Sequence, residues 1–174
     1  VLEQLEGFEA PASSWESEVL APRVSDYERA WLDDLVRAGR FTWARLRTPA
    51  SAEPGRASSL HATPIVLPPR RQLGAWSRLA AARGGPEPAL GSRAERVAEY
   101  LAANGACFFS DMEHGIPMLR TELEDALAEL VSRGRAGCDS YAGLRALLVP
   151  PSKRGSNAPR RGRRMAMQAI EDAG

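Results

Sequence analysis

The number and placement of the arginine residues in this sequence indicate contacts with phosphate groups. All but one of the 23 basic residues are arginine, and the guanidinium group suits bidentate contacts with phosphate. Residues 151–174 hold six basic and two acidic residues, which leaves 17 basic and 20 acidic residues in 1–150. This asymmetry indicates a polyanionic partner. The six basic residues are Lys153, Arg154, Arg160, Arg161, Arg163 and Arg164.

The stretch SKRGSNAPRRGRR cannot bury apolar surface, so its composition predicts a segment that stays extended until it binds. Neutralising phosphates with such a segment releases counterions and makes affinity depend on salt. A solvated linker whose charge only aids solubility remains the alternative.

A second group of candidates follows from a repeat. LDDLVRAGR at 32–40 recurs as LAELVSRGR at 127–135, and each copy reads as a helix that ends at a glycine. Packing explains the shared leucines and valine, so the arginine after each glycine is left for phosphate contact. Trp43 could stack a base or pack in the core. The candidates in this group are Arg40, Trp43, Arg45, Arg120, Arg133 and Arg135.

Several kinds of site are not expected. The lone lysine, Lys153, lies in PSKRGSN and not in a Walker A loop, so the chain carries no P-loop ATPase site. Cys107 and Cys138 lack zinc-ligand spacing and read as reduced thiols. His61 and His114 read as structural or surface residues. No catalytic residue, metal ligand or cofactor is therefore assigned to this chain.

Acidic residues accompany both repeated helices and are interpreted as solvated outer faces. Such helices are poorly suited to reading the major groove, where arginine and asparagine would be expected. No apolar run approaches the roughly 18 residues that span a membrane. The acidic positions are Asp33, Asp34, Glu122, Glu124, Asp125 and Glu129.

The elements that position these residues form two similar units. In the first, Trp15 begins a short amphipathic helix, and a longer helix capped by Ser25 or Asp26 buries Tyr27, Trp31, Leu35 and Val36. FTWARLR and ATPIVLP then predict a hairpin around the loop 48–61. In the second, Ser92 and Glu95 form a capping box, two further helices follow, and RAGCDSYAGLRALLV reads as a two-stranded wing.

This order is typical of a winged helix, a variant of the helix-turn-helix. We expect a mainly α fold with small β wings (α+β), built from tandem winged-helix units. The predicted division is 1–68, a first winged-helix-like unit whose opening helix is VLEQLEG or lies upstream; 69–91, a connector; 92–150, a second winged helix; and 151–174, a basic linker with the start of the next element. The chain begins on Val1, and we expect it to be a piece of a longer protein.

Ordered phrases along nearly the whole chain resemble a known family. QLEGFEAP, SWE, WLDDLVRAGRFTWARL, TPIVLPPR, ELEDALAELVSRG and GLRALL are similar to the post-motor, C-terminal region of bacterial large helicase-related (Lhr) proteins, which are superfamily 2 DNA helicases with a DEAD/H-associated segment. The resemblance implies a parent protein whose two RecA-like domains use ATP and Mg to move along single-stranded DNA. It also implies a following β-barrel, a likeness to winged-helix DNA glycosylases, and oligomers of the C-terminal part.

We therefore expect an accessory winged-helix region that supports single-stranded DNA binding and unwinding in DNA repair. The partners implied are single-stranded DNA or an RNA:DNA hybrid, the rest of the helicase chain and a second copy, in the cytoplasm beside the nucleoid. Two alternatives stay open. The chain is a structural or oligomerisation module, or it is the scaffold of a glycosylase-like domain whose catalytic residues lie downstream.

Overall fold

A computed structural model describes residues 1–46, 60–82 and 89–149. The six basic residues of 153–164, and most of the predicted loop 48–61, lie outside these ranges. Within them the chain is mainly α-helical, which confirms the predicted class, and no helix there is long and apolar enough to cross a membrane. The α-helices are α1 (Arg29–Arg37), α2 (Leu73–Ala82), α3 (Ser92–Asn104), α4 (Phe109–Gly115), α5 (Arg120–Ser132) and α6 (Tyr141–Leu148).

A small sheet joins a segment before α1 to a segment after it and forms the base of the first wing. Strand β1 (Ala10–Pro11) pairs antiparallel with β2 (Pro64–Ile65). On the other side, Ala44 and Val66 exchange backbone hydrogen bonds of 3.1 and 2.8 Å. Residues 41–44 thus lie antiparallel to 66–69, as the predicted hairpin requires, but two isolated bridges join them and the described residues of FTWARLR do not form the predicted strand.

Helix α1 starts later than the sequence predicts, and it buries a different face from the predicted one. Glu28, not Ser25 or Asp26, precedes its first turn. Leu32 and Val36, four residues apart, are buried, as the repeat predicts. Trp31 lies about 100° away around the helix from Leu32 and is 44% exposed, so its predicted place in the core is wrong.

The second unit contains the three predicted helices, α3, α4 and α5. Their apolar faces enclose a core that includes Val97, Phe109, Leu123 and Leu130. The predicted Ser92–Glu95 capping box does not form.

Instead, the backbone N–H of Gly91, before α3, donates to the carboxylate of Glu129 on α5, at 2.9 Å. Glu129 is buried, so it does not belong to the solvated face that the sequence analysis assigned to it.

The predicted second wing is not formed by residues 141–148, which are helical. Tyr141, Leu144 and Leu148 are all buried, at the i, i+3, i+7 spacing of a helix face. Ser140 precedes the helix, and its hydroxyl accepts a hydrogen bond from the N–H of Gly143 at 3.1 Å. The apolar residues of this short segment fit both the two-residue period of a strand and the 3.6-residue period of a helix. The cap at Ser140 favours the helix.

Helix α6 packs into the core of the first unit. Tyr141, Leu144 and Leu148 share one apolar cluster with Trp15, confirmed as a core residue, and with the buried face of α1. The Tyr141 hydroxyl donates to the carbonyl of Ala12 at 3.2 Å, and burial raises the pKa of this tyrosine. A helix at the end of the predicted second unit thus completes the core of the first.

Candidate nucleic-acid interface

The two repeated helix ends have the same geometry. Gly39 and Gly134 adopt left-handed φ values of 68° and 69°. The N–H of Arg40 donates to the Leu35 carbonyl at 3.1 Å, and that of Arg135 to the Leu130 carbonyl at 2.8 Å. This bond, five residues back, closes a helix in the Schellman manner. The duplicated helix end predicted from the sequence is therefore confirmed, but in the second copy no wing strand follows it within 135–148.

Alanine substitutions at these two glycines should separate two contributions to the loss of stability. One is the cost of a left-handed φ, and the other is a steric clash with the opposite unit. At Gly39 a Cβ would come no closer than 3.8 Å to a side-chain carbon of Arg70, so Gly39→Ala should cost about 1 kcal/mol from its left-handed φ. At Gly134 a Cβ would meet the Arg45 carbonyl oxygen at 2.8 Å, which should add about 1 kcal/mol. Urea unfolding followed by circular dichroism measures both. Equal losses of unfolding free energy in the two variants would contradict the close approach of Gly134 to the Arg45 carbonyl.

The predicted phosphate-binding arginines fall into different environments. Arg40 and Arg135, which follow the two glycines, are exposed. Arg45 and Arg133 are buried. The structure therefore keeps the two repeat arginines accessible, and their role in binding stays a prediction.

Arg120 is held within the second unit. Its guanidinium contacts Glu113 at 2.9 Å and Glu124 at 3.3 Å, and lies 4.6 Å from the centroid of the Phe109 ring. These pairs compete with any phosphate contact by Arg120. Glu124 is buried against it, so this carboxylate too is not on a solvated face.

Trp43 lies in the core, one of the two alternatives that the sequence left open. It is 3% exposed, and its indole N–H donates to the Ser140 carbonyl at 3.0 Å. Its ring is therefore not presented to a base in this structure. The hydrogen bond joins the first wing strand to the residue that caps α6.

These contacts border a groove between the two units, which we call the inter-unit groove. It lies between residues 42–45 of the first unit and 134–139 of the second and has a volume of about 480 Å³. Its charged lining among the described residues is Arg45, Arg70, Arg135 and Asp139. Arg70 and Asp139 form an ion pair of 3.0 Å, and the lining carries a net positive charge.

Arg45 is a buried charge on this lining. It is 9% exposed, and its Nε and Nη1 atoms have no hydrogen-bond partner in the described part of the protein. Burial lowers the pKa of its guanidinium, Glu9 opposes this effect, and Arg133 adds to it. Arginine nevertheless remains charged in proteins.

The remaining candidate side chains do not form a reactive centre in the part of the chain that the structure describes. No group of three or more potential metal ligands occurs there. Cys107 and Cys138 are free thiols on the inter-unit groove, and burial raises the pKa of each, which disfavours the nucleophilic thiolate. His61 and His114 are exposed.

Sequence reasoning missed the residues that join the units. Arg145 on α6 makes two hydrogen bonds with Glu16, of 2.8 and 2.9 Å, and contacts Asp33 at 3.2 Å. Asp33 is buried, which corrects its assignment to a solvated face. No local pattern marks these partners, because 129 and 112 residues separate them from Arg145.

The helices, the first wing and the arginine-lined groove define a winged-helix protein of the helix-turn-helix class. Residues 1–63 match the model of the winged-helix domain of large helicase-related proteins. Together with the relatives that follow, this match shows that the chain belongs to the large helicase-related (Lhr) family, as the sequence resemblance indicated.

The relatives align with nearly the whole chain. The chain is 31% identical over 167 residues, 94% of its length, to a Mycolicibacterium smegmatis protein described as "Lhr helicase/ probable uracil glycosylase". It is 30% identical over 185 residues, 98% of its length, to the "Lhr helicase/uracil glycosylase" of Escherichia coli. The chain spans only 10% and 11% of these relatives.

Proposed function

We propose that this chain is an accessory winged-helix region of an ATP-dependent superfamily 2 DNA helicase and supports the single strand during unwinding in DNA repair. The observation that carries the proposal is the arginine lining of the inter-unit groove, next to two duplicated helix ends that each present an exposed arginine. The family provides the helicase context. ATP and Mg would act in motor domains elsewhere in the longer protein.

The charge distribution favours contact with the nucleic-acid backbone over base reading. Arg40 and Arg135 lie just beyond helix C-termini, where the helix dipole is negative, so their own charge must supply the attraction for phosphate. Neither repeated helix presents an arginine or asparagine array for a major groove. A partner without base preference, either single-stranded DNA or an RNA:DNA hybrid, suits this surface best.

Strand binding by the 174-residue chain tests the proposal. Fluorescence anisotropy with a labelled single strand measures the affinity. The logarithm of this affinity should fall linearly with the logarithm of the salt concentration, with a slope of about −0.7 for each phosphate contact. Changing the arginines of 153–164 to glutamine should weaken binding tenfold or more, since several contacts of roughly 1 kcal/mol each would be lost. A variant with residues 153–164 in scrambled order keeps the charge and should bind as well as the parent chain. Undetectable binding by the parent chain at low salt would refute the proposal.

Exposed apolar side chains favour a second candidate, a structural or oligomerisation module. Trp31, Phe108 and Leu119 are exposed on the described surface. A stable oligomer of a chain that binds no strand would support this function in place of the first.

The relatives' names also raise a glycosylase function. We propose that this chain would at most be scaffold for it, and we expect no base release from a uracil-containing strand by the chain alone.

A further inference from the structure

We propose that the inter-unit groove holds one backbone phosphate of a single strand, with Arg45 as its deepest ligand. This inference rests on the proposed function and specifies the contact at which the strand crosses from the first unit to the second. Neither the family match nor the relatives' descriptions assign a residue to such a contact.

The state of Arg45 is the first observation. Its Nε and Nη1 atoms are buried and lack hydrogen-bond partners among the described residues. A buried cation with unmade hydrogen bonds is costly, whereas charge-assisted bonds to a phosphate are short and strong. Both nitrogens are shielded from solvent, so we infer that Arg45 turns towards the groove when the phosphate enters. Ligand binding then replaces two unmade bonds with two made ones.

The lining of the groove is the second observation. Arg70 and Arg135 lie on the same lining, and its one described carboxylate, that of Asp139, is already bound to Arg70. The field in the groove therefore favours an anion. The volume of about 480 Å³ is that of a small-molecule site, which suits one phosphate and its sugar.

Access from the second unit is the third observation. Gly137 lines the groove, and a Cβ placed on it would meet no atom within 4 Å. The backbone there is open, so a ligand can approach without displacing a side chain. The same space allows a carboxylate to be introduced at this position without a clash at Cβ.

Arg45→Met in the full 174-residue chain is the primary test. We expect affinity for the labelled single strand to fall about tenfold, and the slope of log affinity against log salt to fall by about 0.7, which corresponds to one lost phosphate. The melting temperature should stay level or rise, because methionine replaces a buried charge whose hydrogen bonds are partly unmade. Arg96→Met, at an exposed position on α3, is the control and should change neither affinity nor melting temperature.

Gly137→Asp provides a test that leaves Arg45 intact. Its carboxylate should repel phosphate and weaken strand binding about tenfold, whereas Gly137→Asn should bind within about twofold of the parent chain. The two side chains are nearly equal in size, so the difference reports charge.

The outcomes separate this inference from the proposed function. If the parent chain binds no strand, the proposed function fails and the inference fails with it. If the parent chain binds and Arg45→Met binds with unchanged affinity and salt slope, only the inference is overturned. A large drop in the melting temperature of Arg45→Met would also overturn it, because Arg45 would then have a structural partner. Stabilisation by inorganic phosphate alone, with strand binding unaffected by Arg45→Met, would assign the groove to a free anion instead.

Discussion

Leu144→Ala is expected to lower the free energy of unfolding of the first winged-helix unit by about 2–5 kcal/mol. Leu144 is fully buried on α6, in the cluster that contains Trp15, Leu32 and Val36. Truncation removes apolar contacts and leaves a cavity between α6 and α1. The effect should therefore reach a unit that lies about a hundred residues away in the sequence.

Tryptophan fluorescence measures this coupling directly. All four tryptophans lie within residues 1–82, so the urea-unfolding transition seen by fluorescence reports mainly the first unit and the connector. Leu79→Ala, at a leucine of α2 that is 43% exposed, is the matched control and should change stability by less than about 0.5 kcal/mol. A fluorescence midpoint that Leu144→Ala leaves in place would show that α6 does not support the first unit.

Arg145→Met is expected to lower the free energy of unfolding by a similar amount, about 3 kcal/mol. The Arg145 guanidinium joins α6 to Glu16 through two hydrogen bonds and to Asp33 of α1, and both carboxylates are largely shielded from solvent. Burial alone would lower the pKa of Arg145. Hydrogen bonds to Glu16 and Asp33, together with the negative charge of these carboxylates, outweigh burial and raise the pKa. Removal of the cation leaves two carboxylates close together without their partner, which is the costly way to break a buried pair.

Two comparisons isolate this ionic contribution in the same fluorescence-detected urea titration. Arg70→Met breaks the exposed pair with Asp139 and should cost no more than about 1 kcal/mol. Adding Glu16→Gln and Asp33→Asn to Arg145→Met should recover part of the loss, because the amides carry no charge that needs a partner. If Arg145→Met and Arg70→Met have equal effects, the buried cluster does not hold the two units together.

These contacts matter for the proposed function because they make the arrangement of the two units rigid. Helix α6, the Trp43–Ser140 hydrogen bond and the Arg145 cluster all connect the two units. They hold Arg40 and Arg135, one at each repeated helix end, in a defined relation to the groove between the units. A preorganised set of cations loses less conformational entropy when it binds an extended strand.

The part of this structure that could be predicted from the sequence is local. The leucines and valine of each repeat form a helix face, and Gly39 and Gly134 close each helix through bonds that span only six residues. Such a junction needs nothing from the rest of the chain. The pairing of residues 41–44 with 66–69 was also predictable, since FTWARLR alternates in side-chain size and a Pro- and Gly-rich loop follows it.

The errors came where short segments are compatible with two structures. Residues 141–148 fit a strand or a helix, and the cap at Ser140 together with burial against α1 selects the helix. Trp31 shares an apolar stripe of α1 with Leu35, but the folded chain buries the neighbouring face that carries Leu32 and Val36. The carboxylates of Asp33, Glu124 and Glu129 look solvated in a helix considered alone, yet each is buried in the folded chain.

The sequence by itself determined the two glycine-closed helix ends, the surplus of arginine and the family, because each depends on neighbouring residues or on composition. Only the tertiary structure decided that Trp43 is a core residue, that Arg45 is buried with unmade hydrogen bonds, and that α6 completes the first unit. These features depend on which distant surfaces meet. A side chain's surroundings in a fold of two interlocked units are set by residues about a hundred positions away, which no local pattern encodes.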